Sequence, residues 1–310
     1  MNIRSVVMFA HNEEVAILAA IEAVRRAGLR PTDTLTVLIN GSTDQTAALV
    51  QAEALNDTRI RPVLIDLGDK SNAWDVYVHR LADPAADMHV FIDGDVRISV
   101  GSLDTVARSM QDNPQALVIS TLPRGGRQAE SWAARILAHQ GMPGNYYAIP
   151  GTVFRRLVDR VWLPVGFMGD DTLLRWLFLR NLDPAGVVVK DRIKPCAAAF
   201  FDYESFPVTT LTGIRRLWRR HLGYTRREIQ VHALCQRLTA LGITAMPRQI
   251  SEIYDQIHPL RDSVTASVGF RGRRLLIPFV GLGMRTGSKP ASRHPAWHDL
   301  PSTSSKAPTS

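Results

Sequence analysis

Cysteine is nearly missing from this chain. Cys196 and Cys235 are the only 2 among 310 residues, and they stand far apart. That excludes a disulfide-stapled scaffold and a cysteine-ligated zinc site, and it favours a reducing, cytoplasmic setting. The 9 histidines include no closely spaced pair of the metal-ligand kind, so His11 reads as a packing or pocket residue. Long apolar runs are also lacking, since a bilayer crossing needs about 20 such residues. The nearest approach, "LLIPFVGLGM" at 275–284, is short and broken by Pro278 and glycines. Because it follows the basic "RGRR", it suits either peripheral contact with the inner face of a membrane or, preferably, burial against the core. The opening "MNIRSVVMFAHNEE" meets two acids too early for a secretory leader.

What remains is ordinary globular material, 45% hydrophobic and 21% charged, with Lys and Arg exceeding Asp and Glu by 37 to 29 for a net charge of +8. The surplus attracts anions, whether phosphates, nucleic acid or an acidic membrane. Nucleic acid is set aside, because the arginine run has little aromatic interleaving and no recognised module.

Up to residue 93, apolar runs alternate with amphipathic ones. Strands are predicted at 5–10, 35–40, 61–66 and 88–93, and helices at 13–28, 42–55 and 71–82. Such alternation implies a parallel sheet covered on both faces, with ligands beyond the carboxyl ends of its strands. His11-Asn12-Glu13, Asn40-Gly41-Ser42, Asp69-Lys70 and Asp93-Gly94-Asp95 all occupy those ends. Further on, a helix is predicted at 102–111 and strands at 116–121, 186–191 and 196–203. A long basic helix, interrupted near Gly223, is predicted over 212–238, and the Ser-, Thr- and Pro-rich stretch from 286 reads as disordered.

The run "VFIDGDVRIS" places two carboxylates at i and i+2 after a buried strand. A polar turn would account for them. So would a metal site, with both Asp side chains on one side of an extended chain and Gly94 leaving room for a ligand. Hard oxygen donors of this kind suit Mg²⁺ or Mn²⁺ carrying a phosphate.

Several stretches, in order over residues 4–220, resemble the family 2 glycosyltransferases. "VVMFAHNEE" is similar to their Val-Val-Ile-Pro-Ala-Tyr-Asn-Glu-Glu opening, although Phe9 and His11 replace the usual Pro and Tyr. "LINGSTDQT" resembles their Asp-Asp-Gly-Ser-Thr-Asp-x-Thr element, "GDKSNAWDV" their Gly-Lys-x-x-Ala-Leu-Asn stretch, "FIDGDV" their Asp-x-Asp strand end, and "GDDTLL" their Glu-Asp element. The resemblance implies a GT-A fold: a Rossmann-like, mostly parallel sheet with helices on both faces. It also implies transfer of a sugar, with inversion, from a nucleotide-sugar donor to a hydroxyl acceptor on a glycan, a lipid-linked or a small molecule. By the same resemblance Asp95 would hold the metal, and Asp93 would orient it or contact the ribose. Asn12, Glu13, Asn40 and Lys70 would line the nucleotide pocket. Asn40 stands where the family has an acid, so the choice of base can differ. Ser42 suits either a nucleotide contact or a helix cap. Asp171 would be the general base with Asp170 assisting, unless these residues only cap the helix that follows. Asn145, Tyr146 and Tyr147 lie where the family positions its acceptor, though packing is the safer role. Arg219 and Arg220, in a partial echo of the Gln-x-x-Arg-Trp element, would clamp the diphosphate or form a solvated basic face.

The expected organisation is a nucleotide-sugar-binding and catalytic domain over 1–220, a helical extension packed on it over 221–285, and a tail over 286–310. Rival readings are a haloacid-dehalogenase-type phosphatase, a nucleotidyltransferase and a non-catalytic sugar-nucleotide-binding module. The phosphatase would leave the first two motifs unexplained, and the nucleotidyltransferase lacks its basic Gly-rich loop, because Glu13-Glu14 stands there.

Overall fold

The structure, a computed structural model, describes residues 3–126, 128–203, 211–254 and 297–300, with 211–220 described by backbone alone. The segment 275–284 lies outside the described residues. Strand β1 (Arg4–Ala10) leads through α1 (Ile17–Arg26) to β2 (Thr34–Asn40). Helix α2 (Thr46–Asn56) then precedes β3 (Ile60–Ile65). Helix α3 (Lys70–Val76), prolonged by a π turn at Tyr77–Leu81, returns the chain to β4 (Met88–Asp93). These four strands run parallel. Their apolar runs are continuous because both faces are covered: Val7, Phe9 and Phe91 enter one core, Val6, Met8 and Val90 the other.

The second half extends the sheet with mixed direction. It comprises β5 (Val96–Ile98), α4 (Ser102–Asp112), β6 (Val118–Pro123), α5 (Ala129–His139), β7 (Tyr146–Pro150), α6 (Gly151–Val158), α7 (Asp170–Phe178), β8 (Ile193–Tyr203), α8 (Leu211–Leu241) and β9 (Trp297–Asp299). Among the described residues the strand order is β5-β8-β6-β7-β4-β1-β2-β3-β9, with β7 antiparallel to both β4 and β6. This reversal brings the loop before β7 to the carboxyl end of β4, where the candidate metal residues lie.

Three expectations need correction. Residues 186–191 form no strand: Val187 and Val188 are 80% and 58% exposed, and the sheet strand begins only at Ile193. Apolar content there is not matched by a covering layer. Gly223 does not interrupt α8, which is continuous and also crosses residue 220. A single glycine costs a helix about 1 kcal/mol, and packing of Ala233, Leu234 and Leu238 into the core outweighs that. Part of the expected tail is ordered, because Trp297–Asp299 pairs antiparallel with β3 and Trp297 packs on the core. An edge strand with unpaired backbone groups accepts such an addition even from a polar segment.

His89, 1% exposed on β4, lies 3.0 Å from the Tyr77 hydroxyl through Nδ1 and stacks on Phe154. Burial pushes its imidazole down to about 4, with Asp83 and Arg155 contributing smaller opposed effects. Between that value and the ordinary 6.5 the unfolded chain binds the extra proton, so its contribution to stability must fall as pH falls through this window. Glu13 and Asp93, both raised, act in the opposite direction over the same range, so the His89 contribution is read as a difference. Relative to wild type, His89→Gln should gain about 2 kcal/mol of stability in urea unfolding on going from pH 7 to pH 5. An unchanged slope in the variant would refute the assignment.

Candidate active site

The carboxyl ends of β1 and β2 are tied together before any ligand is considered. The Asn12 amide donates to Ser42 Oγ at 3.0 Å, and Asn12 Oδ1 accepts from the Thr43 amide at 2.8 Å. The Glu13 amide donates to Thr46 Oγ1 at 2.8 Å, and His11 Nδ1 lies 2.6 Å from the Asn40 carbonyl oxygen. Ser42 therefore does not cap α2. Its hydroxyl is engaged by Asn12, and Asp44 accepts from the Thr46 amide instead, at 3.0 Å. Gly41 has φ +57, and a side chain there would drive Cβ to 2.4 Å from the Gly68 amide nitrogen, so only glycine permits this approach of two loops. Asn40 is 4% exposed, and its Oδ1 finds no donor among the described residues.

At the end of β4, Asp93 and Asp95 do not flank an extended residue. Gly94 and Asp95 form a turn, which leaves Asp93 half-buried and Asp95 exposed. Gly94 does not clear space for a ligand either. A Cβ there would lie 2.9 Å from the Phe9 carbonyl oxygen, which already accepts from the Gly94 amide at 2.8 Å. Glycine is needed so that β1 and the turn can touch. Burial lifts the Asp93 carboxyl to about 6, with Lys70 pulling down and Asp95 pushing up. Burial also lifts Glu13 to about 7, reinforced by Asp95, Asp93 and Asp44. Four acids thus crowd one rim.

Lys70 joins this rim to the second carboxylate pair. Its ammonium is 2.5 Å from Asp93 Oδ1 and 3.7 Å from Asp170 Oδ2. Burial opposes that charge, but the two carboxylates outweigh it and raise the pKa. The helix start that carries Lys70 is well anchored: Asp69 accepts from the amides of Asn72 and Gly166, and Ser71 donates to the Phe167 carbonyl at 2.7 Å. The loop before β7 supplies a further link. Gly144 lies beside Asp171, where an added Cβ would be 3.1 Å from that residue's own Cβ, and its carbonyl accepts from Lys70 at 3.3 Å. Next to it, Asn145 donates to Asp93 Oδ2 at 3.2 Å. Tyr146 and Tyr147 are buried, Tyr147 stacking on Phe91 with centroids 4.7 Å apart, so packing is their role.

Asp170 and Asp171 open α7. Neither caps it by a side-chain bond, because the cap position is Gly169. Asp171 Oδ1 meets Arg227 Nη2 at 2.5 Å and accepts from Thr172 Oγ1 at 3.2 Å. Burial opposes the Arg227 charge, while Asp171 and Asp170 hold it up. Gln230, fully buried, accepts from the Met168 amide at 3.0 Å and donates to the Gly166 carbonyl at 3.3 Å, bracing the loop that feeds α7. Arg227 and Gln230 were missed by sequence reading. Their signal was available, since they continue, at helical spacing, the face of α8 that buries Leu234 and Leu238. Arg219 and Arg220 lie on α8, but their side chains fall outside the described residues.

Sheet topology and rim together define a GT-A glycosyltransferase. The model of the glycosyl transferase family 2 matches residues 5–168, and the chain belongs to that family. This removes the phosphatase reading. No curated protein matches the sequence. Among solved structures, the chain resembles the mannosyltransferase PcManGT of Pyrobaculum calidifontis, held with GDP-Man and Mn²⁺. Identity is 16%, coverage 92% of this chain and 81% of that one, and the TM-score 0.56. TarS 1–349 of S. aureus matches at 14% identity, 93% coverage of each chain and a TM-score of 0.51. Glucosyl-3-phosphoglycerate synthase of Mycobacterium tuberculosis, in complex with phosphoglyceric acid, matches at 21% identity. It covers 75% of this chain and 80% of that one, with a TM-score of 0.51. At these identities the likeness concerns the fold.

Proposed function

We propose that the protein is an inverting, metal-dependent glycosyltransferase that moves a sugar from a nucleoside-diphosphate sugar to a hydroxyl acceptor. The observation that carries the reading is Lys70, whose ammonium stands between Asp93 and Asp170 and so brings the end of β4 and the start of α7 into one cleft.

The residues fit a hard divalent cation. Among the described residues no three His, Cys, Asp or Glu side chains form a complete ligand set. Mg²⁺, however, is usually held by one or two carboxylates together with substrate phosphates and water. Asp93 and Asp95 match that need, and Glu13 adds a further carboxylate whose charge Asp95, Asp93 and Asp44 oppose at the same rim. Mg²⁺ or Mn²⁺ held there would act as Lewis acid toward the departing diphosphate, a contribution of several kcal/mol.

The chain's own groups account for the rest. Asn40 offers its unpaired Oδ1 to an N–H of the base, relieving a buried acceptor that otherwise costs about 1–3 kcal/mol. Asn12, Glu13 and Ser42 hold the pocket wall through the bonds between β1 and β2, and Lys70 adds positive charge beside the diphosphate. Asp171 takes the acceptor's hydroxyl proton while that oxygen bonds to the anomeric carbon and the bond to the diphosphate breaks. Arg227 and Thr172 both engage Oδ1, so Oδ2 is the oxygen assigned to the proton. Attack opposite the leaving group inverts the anomeric carbon.

The configuration of the released sugar tests this. With water as slow acceptor, ¹H NMR in the first minutes of UDP- or GDP-sugar hydrolysis should show the anomer opposite to the donor's. Release of the donor's own anomer would sink the single-displacement reading. Sugar-nucleotide binding without any turnover would favour the non-catalytic module.

A further inference from the structure

We propose that the cavity beside Asp171 is an anion subsite, so that the acceptor carries a phosphate or carboxylate group in addition to the hydroxyl that receives the sugar. This rests on the reading of Asp171 as the base and adds the chemical class of its partner. The cavity, about 470 Å³, lies between α5, α7 and α8, a size suited to a small molecule or a headgroup. Trp132, Arg135 and His139 line one wall from a single face of α5, being spaced i, i+3 and i+7. Arg175 and Arg227 line the opposite side. The single acid in the lining is Asp171, whose Oδ1 is already engaged by Arg227.

The remaining guanidinium charge has no counter-ion among the described residues. Among the described residues no carboxylate pairs with Arg135 or Arg175. Arg175 Nε and Nη2 donate instead to the carbonyls of Gln140 at 3.0 Å and His139 at 2.6 Å, which fixes its plane at the cavity. Burial alone pushes the Arg175 pKa down, the mark of a cation without a balancing anion. Trp132 is held edge-on to Phe201 and Tyr203, so its wall is rigid. Arg135 is exposed and Arg175 half-buried, so water solvates them in the open cavity. An acceptor seated there displaces that water, and a phosphate or carboxylate, unlike a neutral hydroxyl, replaces it while matching the fork geometry of arginine.

The test uses the full chain and inorganic phosphate as probe, followed by calorimetry in the presence of a saturating nucleoside diphosphate that fills the donor side. Phosphate should bind the wild type, and Arg135→Gln should weaken it about 5- to 10-fold while the protein remains folded by circular dichroism. Absence of phosphate binding, or equal affinity in Arg135→Gln, would overturn the subsite. A parallel arm separates the sources of the anion. Co-sedimentation with vesicles containing phosphatidic acid but not with neutral vesicles, lost in Arg135→Gln, assigns a lipid headgroup. Phosphate binding without vesicle binding assigns a free hydroxy acid or sugar phosphate. If nucleotide sugars bind and hydrolyse with inversion but phosphate does not bind, the subsite alone fails. If the donor's own anomer is released, the transferase mechanism fails whatever phosphate does.

Discussion

Asp171→Asn is expected to lower sugar transfer by about 10³-fold, roughly 4 kcal/mol in the barrier, with donor affinity changed less than about 2-fold. The amide keeps the size of the carboxylate and can still accept from Arg227 and Thr172, but it cannot take the acceptor's proton. The donor contacts proposed here lie on the other side of Lys70, at the ends of β1, β2 and β4. Steady-state kinetics set beside nucleotide-sugar titration separate the two effects. A variant that transfers at wild-type rate removes the base assignment. A variant that loses donor affinity in proportion to turnover shows that Asp171 acts in donor binding.

Asp95→Ala should weaken nucleotide-sugar binding in Mn²⁺ by roughly 100-fold, about 2.7 kcal/mol, and leave metal-free binding nearly unchanged. Asp95 is exposed at the turn after β4 and forms no ion pair among the described residues, whereas Asp93 is held by Lys70 and Asn145. The two acids therefore differ in kind. Removing Asp95 deletes a ligand and little else. Removing Asp93 also strands the ammonium of Lys70 between fewer carboxylates, so its loss should affect folding as well as the donor. Equal metal dependence in wild type and Asp95→Ala would show that the cation is bound elsewhere.

Much of this arrangement was legible because parallel strands covered on both faces leave unbroken apolar runs. Val6–Ala10, Leu35–Ile39 and Val90–Ile92 could hardly be anything else, and the polar residues after them had to meet at one rim. The same logic failed at 186–191. There the residues are as apolar as a strand, but nothing among the described residues packs over Val187 and Val188. Periodicity records composition along the chain and carries no knowledge of which layer is available. Gly94 shows a subtler limit. A glycine between two acids suggested ligand access, whereas its cause is the Phe9 carbonyl of a strand some eighty residues earlier. Arg227 lies 56 residues after Asp171, and only the return of α8 across α7 joins them. The pairing of β9 with β3 is still more remote, and its Arg61–Asp299 ion pair at the surface contributes little on its own.

Every role assigned above depends on Asp93, Lys70 and Asp170 framing a single site where one cation and one diphosphate are held. Calorimetric titration of the wild-type chain with a panel of UDP- and GDP-sugars, with and without Mn²⁺, tests that most directly. The account predicts that at least one donor binds tightly only when the metal is present, and that Asp95→Ala abolishes the difference. Failure of every donor to bind, or binding indifferent to the metal, would contradict it.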